Sequence, residues 1–406
     1  MRILEINSVL RGSTGKIAIQ IGELAQNQGH EVCICVPKGR HNKENDSHSI
    51  FLFGNRLSED SHLVLSRLTG LNGYFSVFAT NQLIKKIDNY HPDIIQLHNL
   101  HNSYINVPIL FSYIKKRNIP IVWTLHDCWA FTGKCPYFTD IGCNKWKTGC
   151  HSCAQFRKYP RANIDMTQFL WKDKKKLFLG VNGLTIVTPS KWLKNLVMNS
   201  FLNQYPVKVI NNGIDLSVFK PTDNIFRQKY SLNNKKIVLG VASVWERRKG
   251  LDVFCKLARD LTEDYQIVLV GIDPIARTDI PSNIIGIKKT DNQTQLADIY
   301  SSADVFVNPT LEDNFPTVNL EALACGTPVI TYDTGGSAEP IDSKCGIVVS
   351  RNDYSSLKAA VVFTIENRAF LQENCLMKAK EYSAEKKFEE YIKLYENCSR
   401  NTKCSI

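Results

Sequence analysis

Long apolar runs are missing from this 406-residue sequence. None approaches the roughly 20 residues that cross a bilayer, so no membrane-spanning helix is expected. The opening residues, MRILEIN, lack the basic start and long apolar core of a secretory signal. They read as a first buried strand, and the expected location is cytoplasmic, with peripheral contact at the inner face of the plasma membrane left open. Short-period repeats and low-complexity tracts are also missing. Nucleic-acid-binding motifs are absent as well. The formal charge of +11 therefore points to a phosphorylated substrate or an anionic membrane rather than to nucleic acid. Lys172, Lys174, Lys175 and Lys176 lie on an expected helix beside Phe169, Trp171 and Phe178. They read as a solvated face or as a contact with anionic lipid.

Cysteine is not scarce: there are 13, an odd number. Cys33, Cys35, Cys255 and Cys325 fall in apparent strands and helices and read as buried thiols. Cys128, Cys135, Cys143, Cys150 and Cys153 lie within 26 residues. Cys150 and Cys153 have the spacing of a chelating knuckle, and Cys135 and Cys143 would complete a structural zinc site of four thiolates. Cys128 and His151 are reserve ligands. A compact loop of reduced thiols and a redox or disulfide state stay open as alternatives. The loop has little core of its own, so a metal could fold it. A site there would shape the pocket for an acceptor.

An apolar share of 43% and a charged share of 22% are globular values, and the length suits two domains. Both halves alternate strand and helix, the pattern of a doubly wound α/β parallel sheet. Strands are expected at 3–6, 31–36, 94–97, 121–125 and 184–188. A second series is expected at 237–241, 266–270, 305–307, 327–331 and 346–349. Residues 38–75 read as loops plus a helix. The expected organisation is a first Rossmann-like domain over 1–207 with a cysteine-rich insertion at 128–153. A linker at 208–220 leads to a second domain over 221–383 and a closing helix at 384–406, returning toward the first. Ligands bind at the carboxyl ends of such strands, so two such domains imply a cleft between facing strand ends.

Residues 302–345 carry the most chemistry. A strand runs into an acidic loop, then Pro316, a short helix and a glycine turn. A helix N-terminus at a strand's carboxyl end is a ready anion site. Asp313 and Glu321 flank it eight positions apart. The second domain's first strand ends in Arg247, Arg248, Lys249 and Gly250, where Lys249 and Arg248 are the candidates to neutralise a diphosphate. In the first domain, Gly12 and Gly15 follow the first strand and would let a ligand approach the backbone, although the tighter dinucleotide fingerprint is absent. His98 and His126 follow two further strands. Asp127 could orient His126 or bind a hydroxyl.

Together these residues resemble the retaining glycosyltransferases of family 4, with the GT-B fold, including exopolysaccharide and capsule enzymes that carry a cysteine-rich insertion. The resemblance rests on Asp313 to Glu321, Gly335-Gly336-Ser337-Ala338-Glu339, Arg248-Lys249-Gly250, Asn211-Asn212-Gly213-Ile214-Asp215, Thr188-Pro189-Ser190 and Thr124-Leu125-His126-Asp127. It implies metal-independent transfer of a sugar from a nucleotide-diphosphate donor, a UDP-sugar by default and a GDP-sugar as the alternative. The acceptor would be a hydroxyl of an oligosaccharide, lipid-linked, in surface polysaccharide assembly. By position, Glu321 would bind the donor ribose and Asp313 a sugar hydroxyl. Backbone groups at Asn314, Phe315 and Thr317 would reach the phosphates, with Glu339 also on the donor side. His126 would lie near the reacting centre, with Gly12 and Gly15 on the facing wall. Two positions depart from the family pattern. Asp313 stands where a Glu is usual, and Val244 where an Arg is frequent, so Arg247 or Arg248 would supply the second cation. A phosphorylase or disaccharide synthase of the same fold, and a non-catalytic nucleotide-sugar-binding scaffold, are the competing functions.

Overall fold

The structure is a computed structural model that describes residues 1–39, 42, 49–223, 225–273 and 280–403, with backbone only for 401–403. It divides into two compact units. The first comprises residues 1–211 and 387–406, the second residues 212–386.

The first unit holds seven strands: β1 (Arg2–Ile6), β2 (Glu31–Pro37), β3 (Ile50–Phe53), β4 (Ile94–Leu97), β5 (Ile121–Thr124), β6 (Leu184–Thr188) and β7 (Val207–Val209). Its helices are α1 (Gly12–Asn27), α2 (Arg56–Thr69), α3 (Val77–Tyr90), α4 (Val107–Lys116), α5 (Thr167–Phe178) and α6 (Lys191–Met198). The sheet is wholly parallel, in the order β3-β2-β1-β4-β5-β6-β7. Strands β4 and β5 are buried along their whole length, as helices on both faces of a parallel sheet require. Two strands of this unit were not foreseen. Strand β3 lies inside the segment expected to be loops plus a helix, and β7 falls in the expected linker as an edge strand. The last helix, α13 (Ala384–Lys403), completes this unit. Buried Tyr391 meets Thr124 Oγ1 at 3.1 Å, and buried Tyr395 donates to Gln96 Oε1 at 3.1 Å.

The second unit holds β8 (Lys236–Val241), β9 (Tyr265–Val270), β10 (Ile284–Ile287), β11 (Val305–Asn308), β12 (Val329–Tyr332) and β13 (Gly346–Val349). Its helices are α7 (Ile225–Lys229), α8 (Leu251–Asp260), α9 (Gln293–Ser301), α10 (Thr317–Ala324), α11 (Tyr354–Glu366) and α12 (Gln372–Lys380). The sheet order is β10-β9-β8-β11-β12-β13, again all parallel. Apolar clusters fill both faces: Leu239, Phe306 and Leu320 on one, Phe254, Leu257 and Val361 on the other.

Each sheet reverses its strand order once, between β1 and β4 in the first and between β8 and β11 in the second. At such a point the connections leave to opposite faces and open a crevice at the carboxyl ends. The segments that follow β1, β4, β8 and β11 carry most of the residues named above.

Candidate active site

In the second unit, β11 delivers the chain into a loop fastened from β8. Leu311 donates its N–H to Arg248 O at 2.8 Å, and Arg248 Nη1 donates to Glu312 O at 2.9 Å. Arg248 also reaches Glu246 Oε1 at 3.0 Å, so its guanidinium ties one loop to the other. Arg247 and Val244 are exposed. Lys249, on the single 3-10 turn Arg247–Lys249, brings its Nζ to 2.5 Å from Asp313 Oδ2. The other oxygen of Asp313 accepts the N–H of Asn314 at 2.9 Å. The short side chain that stands where a Glu is usual is therefore engaged by its own loop and by Lys249.

Asp313 leads directly into α10. Pro316 is the N-cap and contributes no side-chain cap; the N–H of Asn319 donates to Pro316 O at 3.3 Å, which leaves those of Thr317 and Val318 for an outside acceptor. Asn212 Nδ2 holds the loop by donating to Phe315 O at 2.9 Å, while the Phe315 ring lies in the core. Asn314 is buried and Thr317 half-buried. Glu321, one turn further on and half-exposed, accepts from Tyr300 Oη at 3.0 Å.

A buried polar network fixes this helix end. Asn319 Nδ2 donates to Ser337 O at 2.9 Å, Asn308 Nδ2 to Asn319 Oδ1 at 2.8 Å, and Thr331 Oγ1 meets Ser337 Oγ at 2.7 Å. All four side chains are buried and mutually satisfied, so the network is rigid. Gly335 has φ +59, and a Cβ there would overlap the carbonyl oxygen of Asp313, so only glycine lets the turn of residues 335–339 close on the acidic loop. Glu339 on that turn is half-buried. Neither Tyr300 nor Asn319 was singled out from the sequence. An Asn in a helix interior, two residues before the Glu, was the available signal.

In the first unit, the ends of β1, β4 and β5 converge on histidines. Glu5 Oε2 lies 3.3 Å from His98 Nε2, and His98 Nδ1 lies 3.1 Å from His126 Nε2. The two rings stack at 5.4 Å and 18°. Burial pushes the Glu5 carboxyl well above its usual range and both imidazoles down to about 3. A neutral chain satisfies both contacts: the Glu5 hydroxyl donates to His98, and His98 Nδ1–H donates to His126. His98 thus orients His126. Asp127 does not. Its Oδ2 meets His101 Nε2 at 2.8 Å, and its Oδ1 accepts the N–H of Trp129 at 2.8 Å. Burial raises the Asp127 carboxyl, but the His101 charge and its hydrogen bonds win and hold it below the usual value. Glu5 and His101 were missed from sequence.

Gly12 and Gly15 belong to the first turn of α1 rather than to the loop before it. Gly12 has φ +72, and a Cβ on Gly15 would overlap the Leu10 carbonyl, so Gly15 serves the close packing of that turn.

The buried histidines make acid sensitivity predictable. His62 is also held near 3; Gly73 N–H donates to its Nε2 at 3.2 Å and its Nδ1 meets Ser76 Oγ at 2.8 Å. Folded pKa values below the unfolded one near 6.5 mean that unfolding takes up three protons as pH falls. Glu5, raised instead, releases one on unfolding above about pH 4.5 and offsets one histidine. The expected result is a loss of first-unit stability of about 2–3 kcal/mol per pH unit between pH 6.5 and 4.5. Denaturant midpoints followed by tryptophan fluorescence would measure it, since five of the six Trp lie in this unit. In Glu5→Gln the offset is gone and the slope steepens toward three protons.

The cysteine-rich segment departs from expectation. Among the described residues no group of three or more His, Cys, Asp or Glu is placed to hold a metal ion, so zinc at Cys135, Cys143, Cys150 and Cys153 is not supported. The thiols are occupied differently. Cys135 Sγ faces Cys153 Sγ at 3.8 Å, and Cys150 Sγ accepts the N–H of Gly133 at 3.2 Å. Cys128 is buried and its N–H donates to Pro136 O at 3.1 Å, while His151 is exposed. Two buried lysines hold the loop. Lys134 Nζ donates to Phe156 O at 2.5 Å and Lys158 O at 3.3 Å. Lys174 Nζ donates to Trp129 O at 2.8 Å and Thr132 O at 3.2 Å and stands 3.4 Å from the Trp129 ring centroid. Lys174 is therefore neither solvated nor a lipid contact, whereas Lys172, Lys175 and Lys176 are exposed. Among the described residues no helix is long and apolar enough to cross a membrane.

Comparison with known proteins agrees with this architecture. Residues 15–218 match the family model "Glycosyltransferase Family 4", and residues 222–387 match "Glycosyl transferases group 1". The putative colanic acid biosynthesis glycosyl transferase WcaC of Escherichia coli K12 is 26% identical over 98% of this chain and 100% of its own length. An N,N'-diacetylbacillosaminyl-diphospho-undecaprenol α-1,3-N-acetylgalactosaminyltransferase of Campylobacter jejuni is 26% identical over 50% of this chain and 57% of its own. Among solved structures, sucrose-phosphate synthase from Thermosynechococcus elongatus superposes with TM-score 0.73 at 17% identity, covering 98% of both chains. Anabaena Alr3699/HepE, crystallised with UDP and glucose, superposes with TM-score 0.69 at 14% identity, covering 98% of this chain and 100% of its own. The two parallel sheets are those of the GT-B fold, and the chain belongs to the Family 4 and group 1 glycosyltransferases.

Proposed function

We propose that this glycosyltransferase moves a sugar from a nucleotide-diphosphate donor to a hydroxyl of an oligosaccharide in surface polysaccharide assembly, with retention of configuration and without a catalytic metal. The observation that carries the reading is the loop between β11 and α10. There Lys249, from the turn after β8, meets Asp313 just before an uncapped helix N-terminus, and Glu321 follows one turn into that helix. In the proposed complex, Lys249 and the N–H groups of Phe315 and Thr317 take the diphosphate, whose negative charge grows as the glycosidic bond breaks, while the N–H of Asn314 is held by Asp313. Donors fixed in advance stabilise that charge without reorganising. Glu321, steadied by Tyr300, accepts the ribose hydroxyls. Asp313 keeps one oxygen within reach of both Lys249 and a sugar hydroxyl. His126, held neutral and oriented by His98, is the proposed contact to the donor sugar near the reacting carbon. The departing phosphate takes the acceptor's proton on the same face.

A UDP donor is favoured by the Anabaena structures bound to UDP, UDP and glucose, or UDP-glucose. Polysaccharide assembly is favoured by the colanic acid relative, and a lipid-linked acceptor by the undecaprenol-diphosphate relative. A thermal-shift panel of UDP-, GDP- and ADP-sugars tests the donor, because a ligand that binds only the folded state raises the melting temperature. A rise with at least one donor is expected, and a flat panel would count against the reading.

A further inference from the structure

The first unit contains a cavity of about 520 Å³ that the donor chemistry does not use. It opens beside Ser8 and Asn102, next to the carboxyl end of β1, and its volume is typical of small-molecule sites. Arg67, Arg157 and Arg161 line it, and all three are exposed. Among the described residues none of them has a carboxylate partner. Two acids, Glu59 and Asp60, share the lining, and Asp60 is paired with Arg56 at 3.7 Å. Cation is therefore in excess.

A second feature points to a ligand independently. Asn72 lines the same cavity at 6% exposure, and its Oδ1 has no hydrogen-bond partner. A buried carbonyl oxygen in that state lacks a donor, which a hydroxyl would supply. The wall is also pre-arranged. Tyr159 Oη meets His101 Nδ1 at 3.1 Å and donates to Asn102, whose Nδ2 donates to Ser8 Oγ at 3.0 Å. His101 is held in turn by Asp127.

We propose that this cavity is an acceptor subsite for an acidic sugar unit. A sugar hydroxyl donates to Asn72 Oδ1, and an oxyanion on the same unit, carboxylate or phosphate, lies among Arg67, Arg157 and Arg161. Guanidinium forks suit both anions and accept them bidentately. The assignment to an acceptor rests on the transferase reading above; the binding of an acidic sugar does not.

The test titrates the full-length protein with methyl glucuronide, glucose 1-phosphate and methyl glucoside, by calorimetry at low and high salt. At least one of the two acids should bind about tenfold more tightly than the neutral glucoside, with an advantage that shrinks in salt. Which acid wins tells a uronate from a phosphate-bearing acceptor. Arg157→Gln with Arg161→Gln should remove the advantage, and Asn72→Leu should weaken all three sugars. The donor-induced thermal shift of the double arginine variant should stay unchanged, which shows that the fold is intact. The proposal is overturned if the glucoside binds as well as both acids, if none of the three binds, or if the preference survives with all three arginines replaced. A wild-type protein that shows no donor shift but still prefers an acid would defeat the transferase reading alone.

Discussion

Replacing Lys249 by alanine is expected to slow sugar transfer by about 10²- to 10³-fold, the usual consequence of removing one preorganised donor to developing charge. Two effects act together. The cation held by Asp313, in the loop that leads into α10, is lost. Asp313, now without its partner at 2.5 Å, leaves an uncompensated carboxylate where the diphosphate is proposed to lie. The second effect makes the variant worse than simple deletion of a charge. It also gives the prediction a signature: Asp313→Asn in the Lys249→Ala background should recover part of the lost rate, although Asp313→Asn alone lowers it. Residues in direct contact couple in this non-additive way. Arg248 should behave differently. Its guanidinium is committed to Glu312 O and Glu246, so Arg248→Ala should loosen the loop and lower thermal stability as well as activity. Steady-state release of nucleoside diphosphate would measure the rates. A Lys249→Ala enzyme within threefold of wild type would remove this residue from the diphosphate site.

The second large effect concerns stability. Lys174→Met is expected to destabilise the first unit by about 3 kcal/mol. Methionine roughly preserves the aliphatic volume. What disappears is the ammonium that satisfies two buried carbonyls, Trp129 O and Thr132 O, and that lies over the Trp129 ring. Each abandoned carbonyl costs about 1–3 kcal/mol. Burial depresses the lysine pKa well below 10.5. Between the folded and unfolded values the unfolded chain binds the extra proton, so wild-type stability rises with pH in that range and the gap to the variant widens. The loop that Lys174 holds also contains Cys135, Cys150 and Cys153, so their thiols should label faster in the variant. Unfolding midpoints and labelling rates unchanged from wild type would show that the segment is held by something else.

These residues also show what the sequence could reveal. The two sheets were legible because parallel strands buried on both faces read as apolar runs, and the strand ends fell where loops carried acids, cations and histidines. Glu5 escaped because one acid inside a buried strand looks like a break in the pattern rather than a partner for His98. Asp127 was assigned to its sequence neighbour. Beyond a strand end, adjacent side chains leave in opposite directions, and Asp127 turns to His101 instead. Lys174 was grouped with three lysines that look the same. Yet Leu170, Trp171, Lys174 and Phe178 share one helix face, and all four are buried. The thiol spacing suited zinc, but spacing states only that ligands could meet. Two buried lysines, invisible in any cysteine pattern, secure the loop. On the donor side, the helix end at Asn314 to Thr317 and Glu321 were legible as types and positions. Tyr300 and Asn319 were not, because their partners Glu321, Asn308 and Ser337 lie more than ten residues away in sequence.

The most direct measurement is donor hydrolysis without an acceptor, comparing wild type with Glu321→Ala across UDP- and GDP-sugars. A slow release of nucleoside diphosphate by the wild type from at least one donor is predicted, falling at least about tenfold in the variant as the ribose contact is lost. No release from any donor, or equal release by both proteins, would contradict a nucleotide-sugar site built around the N-terminus of α10.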